Sequence, residues 1–467
     1  MITVAETSEL LVEPPADPPA RNARRGLVIG ATASVLAILA GVAVYAASAL
    51  SGGGTQPDEV VPRATFAFAK VDLDPAANQK LAARSFLGKF PRFKESDDTD
   101  GVFDGLLSEA LNDSEDLSFD RDVKPWFDGR AAVAAFPGTN GPDVVAAFRS
   151  KDDDKARATL AKAGDDVHFA LTNGYVLVSD KQASVDDAVR LSAQASLRDN
   201  PTYRRDVEAL DGDQVVVAWA DVAQTVQAGA RDLPVPGLGP AVALAKGRVV
   251  AGVHLTGDYA EMTGRSFGMD AATLPKQAEP ALLKALPADT LAALSANDLE
   301  GTIRTALASA GGLDPLALLG GIVGESGLSL RDDVLPLFSG ETVLALGSAF
   351  TEDPESLKIG LVARAESAQG AKVARALEQL GVSAKATMRN GTLYLATGGY
   401  GDELANGSGL GSSPRFAKAM GDLDAASVAA YVDLSTLLDR KDPTLTLGFV
   451  TGIRDGNAYF RVRLVAG

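Results

Sequence analysis

The sequence contains no cysteine. Disulfides, thiolate nucleophiles and cysteine-ligated metals are therefore excluded, and redox chemistry gives no clue to compartment. Histidine is almost as scarce, with only His168 and His254. A serine–histidine mechanism would have to use one of them as its base. Each lies in a strand-like stretch, VHFALT and VVAGVHLT, where strand packing accounts for it without chemistry. The G-x-S-x-G elbow is missing: its nearest match, Gly324-Glu325-Ser326-Gly327, lacks the final glycine. No serine stands three residues before a lysine, so S-x-x-K acyl-enzyme chemistry is excluded too. The run GSGLG at 407–411 has Ser412 where a dinucleotide fingerprint needs glycine, and it reads as a loop. A basic excess is also lacking. The formal charge is −17, which excludes nucleic acid as a partner on electrostatic grounds.

What is present is a long, moderately apolar chain. Its 467 residues are 46% hydrophobic and 22% charged, which predicts a globular protein of two or three folded units. Residues 26–50, GLVIGATASVLAILAGVAVYAASAL, carry no charge. That length suits a membrane-spanning helix and exceeds a signal-peptide core. Arg21, Arg24 and Arg25 precede it, and the next basic residue is Arg63. The positive-inside rule then predicts a cytosolic N-terminus and an external remainder. Ala47-Ser48-Ala49 resembles a signal-peptidase site, so a cleaved, secreted form is the alternative. Residues 1–25 are expected to be a disordered tail and 51–62, SGGGTQPDEVVP, a flexible tether.

The rest of the chain says nearly the same thing twice. LSFDRDVKPWFDG at 117–129 returns as LSLRDDVLPLFSG at 328–340, with seven of thirteen positions identical. Around it, four kinds of block keep their order. Apolar stretches ending in Asp72 and Asp298 come first, each aspartate standing where a helix N-cap belongs. Two strands and a helix ending in Gly164 or Gly381 follow the echoed phrase. Next are hairpins turning at Asn173-Gly174 and Asn390-Gly391, pairs suited to type I′ turns. Each half closes with a helix, a strand and a final hairpin. The expectation is an α+β fold of two tandem repeats, 63–270 and 271–467, of mainly antiparallel sheet with helices on one side. Trp126 and Trp219 have Leu337 and Tyr431 as their counterparts in the second copy, which predicts packing rather than a ligand cage. The echoed phrase keeps its apolar, turn and stop positions and changes its charges. That pattern predicts a structural corner, with Val123/Phe127 and Val334/Phe338 buried as i,i+4 pairs.

The best metal candidate is the acidic stretch 95–122, with eleven carboxylates and one arginine. Read as a calcium loop, Gly101 makes the sharp turn and Asp98, Asp100 and Asp104 are ligands. The motif fails at Ser96 and Leu107, its first and closing positions. Two apolar segments, LPVPGLGPAVALA at 233–245 and GGLDPLALLGGIVGESG at 311–327, stand outside the shared skeleton and are too short to span a bilayer.

ATFAFAKVDLDPAANQKLAARSFLGKFP at 64–91 and DVKPWFDGRAAVAAF at 122–136, behind one N-terminal span, resemble the domain of unknown function 3352 family. The resemblance implies a membrane-anchored exported protein of actinobacterial type and brings no activity, cofactor or catalytic residue. The expected function is a non-enzymatic, membrane-tethered binding or scaffold module outside the cell membrane. Its partner would be a protein, lipid or other envelope component. The alternatives are a carrier of lipid or another apolar ligand, and a metal-dependent hydrolase using the acidic stretch.

Overall fold

The computed structural model describes residues 54–72, 81–90 except 83 and 87, 119–164, 167–228, 247–269, 276–309, 329–347, 358–364, 367–379, 384–397, 399–436 and 444–467. The apolar run 26–50, the calcium candidates Asp98, Asp100 and Asp104, and both apolar insertions lie outside these residues.

Sixteen strands form one sheet. The first repeat contributes β1 (Ala67–Asp72), β2 (Phe127–Gly138), β3 (Gly141–Ser150), β4 (His168–Thr172), β5 (Tyr175–Ser179), β6 (Val216–Asp221), β7 (Arg248–Leu255) and β8 (Tyr259–Phe267). The second contributes β9 (Ala292–Asn297), β10 (Glu341–Leu346), β11 (Ile359–Arg364), β12 (Ala384–Arg389), β13 (Thr392–Thr397), β14 (Val428–Asp433), β15 (Leu445–Arg454) and β16 (Asn457–Ala466). From its outer edge inward, the first repeat runs β4-β5-β3-β2-β1-β6-β7-β8, and the second runs β12-β13-β11-β10-β9-β14-β15-β16. The two orders are the same. The repeats join where β8 pairs antiparallel with β16.

The registers repeat as well as the order. Phe68 sits between Ala134 and Trp219, as Ala293 sits between Ala345 and Tyr431. Trp219 faces Val250, as Tyr431 faces Gly448. Gly252 faces Thr263, as Val450 faces Arg461. Thr263 and Arg461 are thus equivalent residues, and they face each other across the seam. The pseudo-two-fold axis relating the repeats passes between them.

The helices are α1 (Asp153–Leu160), α2 (Gln182–Gln194), α3 (Pro201–Glu208), α4 (Val222–Gln227), α5 (Ala281–Lys284), α6 (Leu299–Ser309), α7 (Ser367–Gln379), α8 (Tyr400–Asn406) and α9 (Pro414–Met420). They do not lie on one side, and that expectation is corrected. In the first repeat α2 and α3 cover one face, burying Val185, Ala188 and Tyr203 against Phe68, Ala134 and Leu177. Ala156 and Leu160 of α1 cover the other, with Phe86 and Trp126, against Val71, Val133 and Val176. In the second repeat α8 and α9 share a cluster with Val343 and Tyr431, while Val373 and Ala374 of α7 pack in a separate cluster with Leu393 and Leu395. The physical reason is visible in β2. Residues 131–136, AAVAAF, are buried without alternation, and a strand buried on both faces needs a cover on each.

Local chemistry explains the punctuation. Asp152 caps α1 by accepting from Lys155 N, and Asn200 caps α3 by accepting from Thr202 N and Tyr203 N. Asn173-Gly174 and Asn390-Gly391 both have positive φ, as type I′ hairpins require. The echoed phrase forms matching π-type turns, Phe119–Val123 and Leu330–Val334. Trp126 Nε1 donates to the Asp122 carbonyl at 2.7 Å, and Asp333 accepts from Ser329 N at 2.8 Å. Val123 and Phe127 pack in the core as expected, but in the second copy Leu337 and Phe338 do so and Val334 is only half-buried, so the corner is built twice with a shifted apolar pair.

Two expectations need correction. Asp72 and Asp298 are not equivalents. Asp72 faces Arg130 as Asn297 faces Glu341, and Asp298 is an extra residue with φ 51°. Asp298 does cap α6, through Gly301 N at 3.2 Å. Asp72 pairs with the buried Arg130 at 3.0 Å, and the residues it would cap, 73–80, lie outside the described residues.

The second correction concerns the tether. Residues 57–62 belong to the fold. Val60 and Val61 are fully buried, Leu197 N donates to Val61 O at 2.9 Å, and Tyr175 Oη donates to Thr55 O at 2.9 Å. The same contact recurs in the second repeat, where Leu410 N donates to Leu286 O at 3.0 Å. Proline and acidic residues made this stretch look like linker; the Val-Val pair at its end anchors it.

Candidate functional site

Ala209, Leu210 and Asp211, just after α3, line a cleft over the seam, and the carbonyls of Met420 and Asp422 at the end of α9 accept from Arg461 of β16. On that face β8 presents Glu261, Thr263 and Arg265, while β16 presents Tyr459, Arg461 and Arg463. Across the seam, Tyr459 faces Arg265, Arg461 faces Thr263 and Arg463 faces Glu261. Strand alternation puts these six side chains on one surface. Arg265 and Arg463 are pseudo-symmetry equivalents, so the axis is flanked by arginines.

A cleft of about 50 Å³ opens there, lined by Asp211, Thr263, Arg265, Arg454, Tyr459 and Arg461 among others. Its charged groups differ in how firmly they are held. Glu261, Arg461 and Arg463 are nearly buried, at 13%, 11% and 13% side-chain exposure. Glu261 is held by Arg463 through Nη2 at 2.5 Å and Nε at 2.7 Å. Arg463 also stacks over Tyr259 at 4.0 Å and donates to the Lys418 carbonyl at 2.9 Å. Arg461 Nη2 donates to the carbonyls of Met420 and Asp422. These two arginines therefore complement the carbonyl end of α9. Gly421 makes room for them: its φ is 52°, and an added Cβ would lie 2.8 Å from Arg463 Nη1. Burial, followed by the repulsion of Arg463, pushes the Arg461 pKa down.

At the rim, Arg265 reaches Asp455 at 3.2 Å and Arg454 reaches Asp211 at 3.4 Å. Arg454 also lies over the Tyr459 ring at 4.9 Å. None of the arginines was singled out from sequence. The available signal was the alternation in YFRVRLV, which looks like an ordinary solvent-facing strand.

The residues that sequence did single out are scattered. His168 sits on the edge strand β4, opposite Ser179. His254 Nδ1 lies 3.0 Å from the Asp213 carbonyl. Ser179 is the cross-strand neighbour of His168, and it donates to the Val144 carbonyl at 2.7 Å. Gly409 opens a 3-10 turn and bridges to Pro287, so the described part of the glycine run is a structural turn. Trp126 and Trp219 are both buried in the core. Among the described residues no group of three or more His, Asp or Glu side chains is placed to hold a metal.

One more polar cluster distinguishes the repeats. Asp206 of α3, fully buried, accepts from Trp219 Nε1 at 2.9 Å and from Arg248 at 2.6 and 3.1 Å. Arg248 in turn lies over Phe267 at 5.7 Å.

A family model described as "Protein of unknown function (DUF3352)" matches residues 27–166 and 159–393. No curated protein and no solved structure matches the chain.

Proposed function

The chain belongs to the DUF3352 family, and on that footing we propose a single-pass, membrane-anchored protein whose duplicated domain acts outside the membrane. Its role in this reading is that of a non-enzymatic binding or scaffold module for an envelope component or partner protein. The observation that carries the reading is the docked tether. The uncharged run ends at Leu50 and the fold takes hold at Gln56, six residues on. Fully extended, that distance is about 20 Å. A span at 26–50 would therefore hold the sheet close to the bilayer rather than let it range freely. Arg21, Arg24 and Arg25 before the run favour a cytosolic N-terminus. The seam supports the binding role, because it sets several arginines around one cleft on an otherwise acidic chain.

Two measurements test this. Protease added to intact cells should remove the domain after residue 56 and leave the N-terminal tail protected; complete protection would refute the orientation. Crosslinking in the native membrane from a photoreactive residue at position 454 should capture an envelope component. Recovery of the chain as a freely released, uncrosslinked protein would refute the tethered module.

A further inference from the structure

We propose that the cleft on the pseudo-two-fold axis binds a phosphate-class oxyanion, with Arg461, Arg454 and Arg265 as its guanidinium donors. The inference deepens the binding reading above by giving its ligand a chemistry.

The first ground is an imbalance of buried charge. Glu261 of the cleft lies beside two buried arginines, Arg461 in the cleft lining and Arg463 outside it, and Arg463 takes it at 2.5 Å. Arg461 Nε is 3.9 Å from the same oxygen and has no hydrogen-bond partner. Two buried guanidiniums thus share one carboxylate. A buried cation without its own counter-charge is costly, and the cost disappears when an anion enters beside it. Helix capping does not settle the account. Arg461 caps α9 through Nη2 alone, which leaves Nε over.

The second ground is the weakness of the rim pairs. The acids that Arg265 and Arg454 reach, Asp455 and Asp211, are 77% and 75% exposed. Arg265 is itself only 15% exposed and Arg454 42%, but with their acids in solvent both pairs are screened and weak. Both arginines can turn to a ligand without a large loss. Thr263 and Tyr459 line the same cleft and add hydroxyls.

The geometry favours a tetrahedral anion. The three arginines come from β8, β15 and β16 and therefore approach from different backbones. A phosphate group offers three oxygens to three forks, whereas a carboxylate offers two in one plane. The ligand is either a free phosphate or the phosphodiester of a lipid headgroup.

The test uses the full chain in an uncharged detergent, with melting followed in inorganic phosphate, in glycerophosphoglycerol and in chloride at matched ionic strength. Saturating phosphate should raise the wild-type midpoint by about 2–4 °C over chloride. Arg265→Gln combined with Arg454→Gln should abolish the rise while leaving the midpoint in chloride close to wild type. Arg461→Gln should also abolish it but lower the baseline, because α9 loses a cap. A rise with inorganic phosphate alone assigns a free phosphate; a rise with glycerophosphoglycerol assigns a headgroup diester. No rise with either, or a rise that persists in the double variant, overturns the site. Because the measurement is made in detergent, an error in the membrane topology would leave its outcome unchanged.

Discussion

Asp206 accepts the indole N–H of Trp219 at 2.9 Å while holding Arg248 through both of its oxygens. In the second repeat the aromatic contact survives and the polar cluster does not. Tyr203 meets Trp219 edge-on at 5.5 Å, and Phe416 meets Tyr431 at 5.3 Å. Ala419 stands in the place of Asp206, one turn after Phe416 as Asp206 follows Tyr203. Thr446 faces Asp433 as Arg248 faces Asp221. The fold therefore tolerates an apolar solution at this position, and the first repeat uses a charged one. Asp206→Ala should destabilise the protein by about 3 kcal/mol, because Arg248 and the Trp219 N–H lose their acceptor together. Adding Arg248→Thr should recover part of that loss by removing the orphaned cation. Denaturant unfolding checks both. Equal stability of the single and double variants would show that the Arg248 charge contributes nothing.

The seam gives a second prediction. Gly264 of β8 lies under Phe460 of β16, and a Cβ added there would come 2.3 Å from the Phe460 ring and 3.0 Å from Val250 O. Gly264→Val should therefore strain the β8–β16 pairing, at a cost of about 1–3 kcal/mol. Since that pairing is what joins the two eight-stranded halves, calorimetry should show one transition in the wild type and broadening or splitting in the variant. An unchanged single transition would mean that the halves cohere by some other contact.

The docked tether gives a third. A chain beginning at residue 63 loses Val60 and Val61, both fully buried, and the Val61 contact with Leu197. Burial of each valine contributes roughly 1.5–3 kcal/mol. That truncation should melt well below one beginning at residue 54, and the latter should match the full chain. Equal midpoints for the two truncations would restore residues 57–62 to the status of a linker.

How much of this was legible in the sequence follows from the range of the interactions. The repeat, the succession of its elements along the chain and its hairpins were legible because they rest on local signals: Asn-Gly turns, Asp152 before a helix, proline ending a turn; the order of the strands within the sheet was not. The cover on both faces had a local signal too, the unbroken AAVAAF of β2, which does not fit helices on one side alone. The seam had none. Tyr459 pairs with Arg265 across nearly half the chain, and the charges on β16 look like those of any solvent-facing strand until α9 is placed above them. For the same reason the arginine cleft was invisible: its members come from three strands and carry no motif. The acidic stretch at 95–122, the most conspicuous cluster in the sequence, lies outside the described residues.

Alkaline pH should destabilise the fold through its buried tyrosines. Tyr400 and Tyr431 are both pushed up to about 12 from the ordinary 10, in each case chiefly by burial. A group whose folded pKa is raised contributes stability that is complete below its unfolded value and is lost as pH rises through the folded one. Stability attributable to these tyrosines should thus be constant up to about pH 10 and fall between about 10 and 12. Tyr431→Phe keeps the ring against Phe416 and removes one ionisable group, so its decline over that window should be shallower than that of the wild type. Urea midpoints at half-unit intervals from pH 8 to 12 would resolve the difference. In the first repeat Trp219 stands in the place of Tyr431 and cannot ionise, but its partner Tyr203 can, and burial pushes the Tyr203 pKa well above the ordinary 10. Identical slopes for wild type and Tyr431→Phe would show that the Tyr431 hydroxyl reaches solvent and that its burial does not govern the alkaline limb.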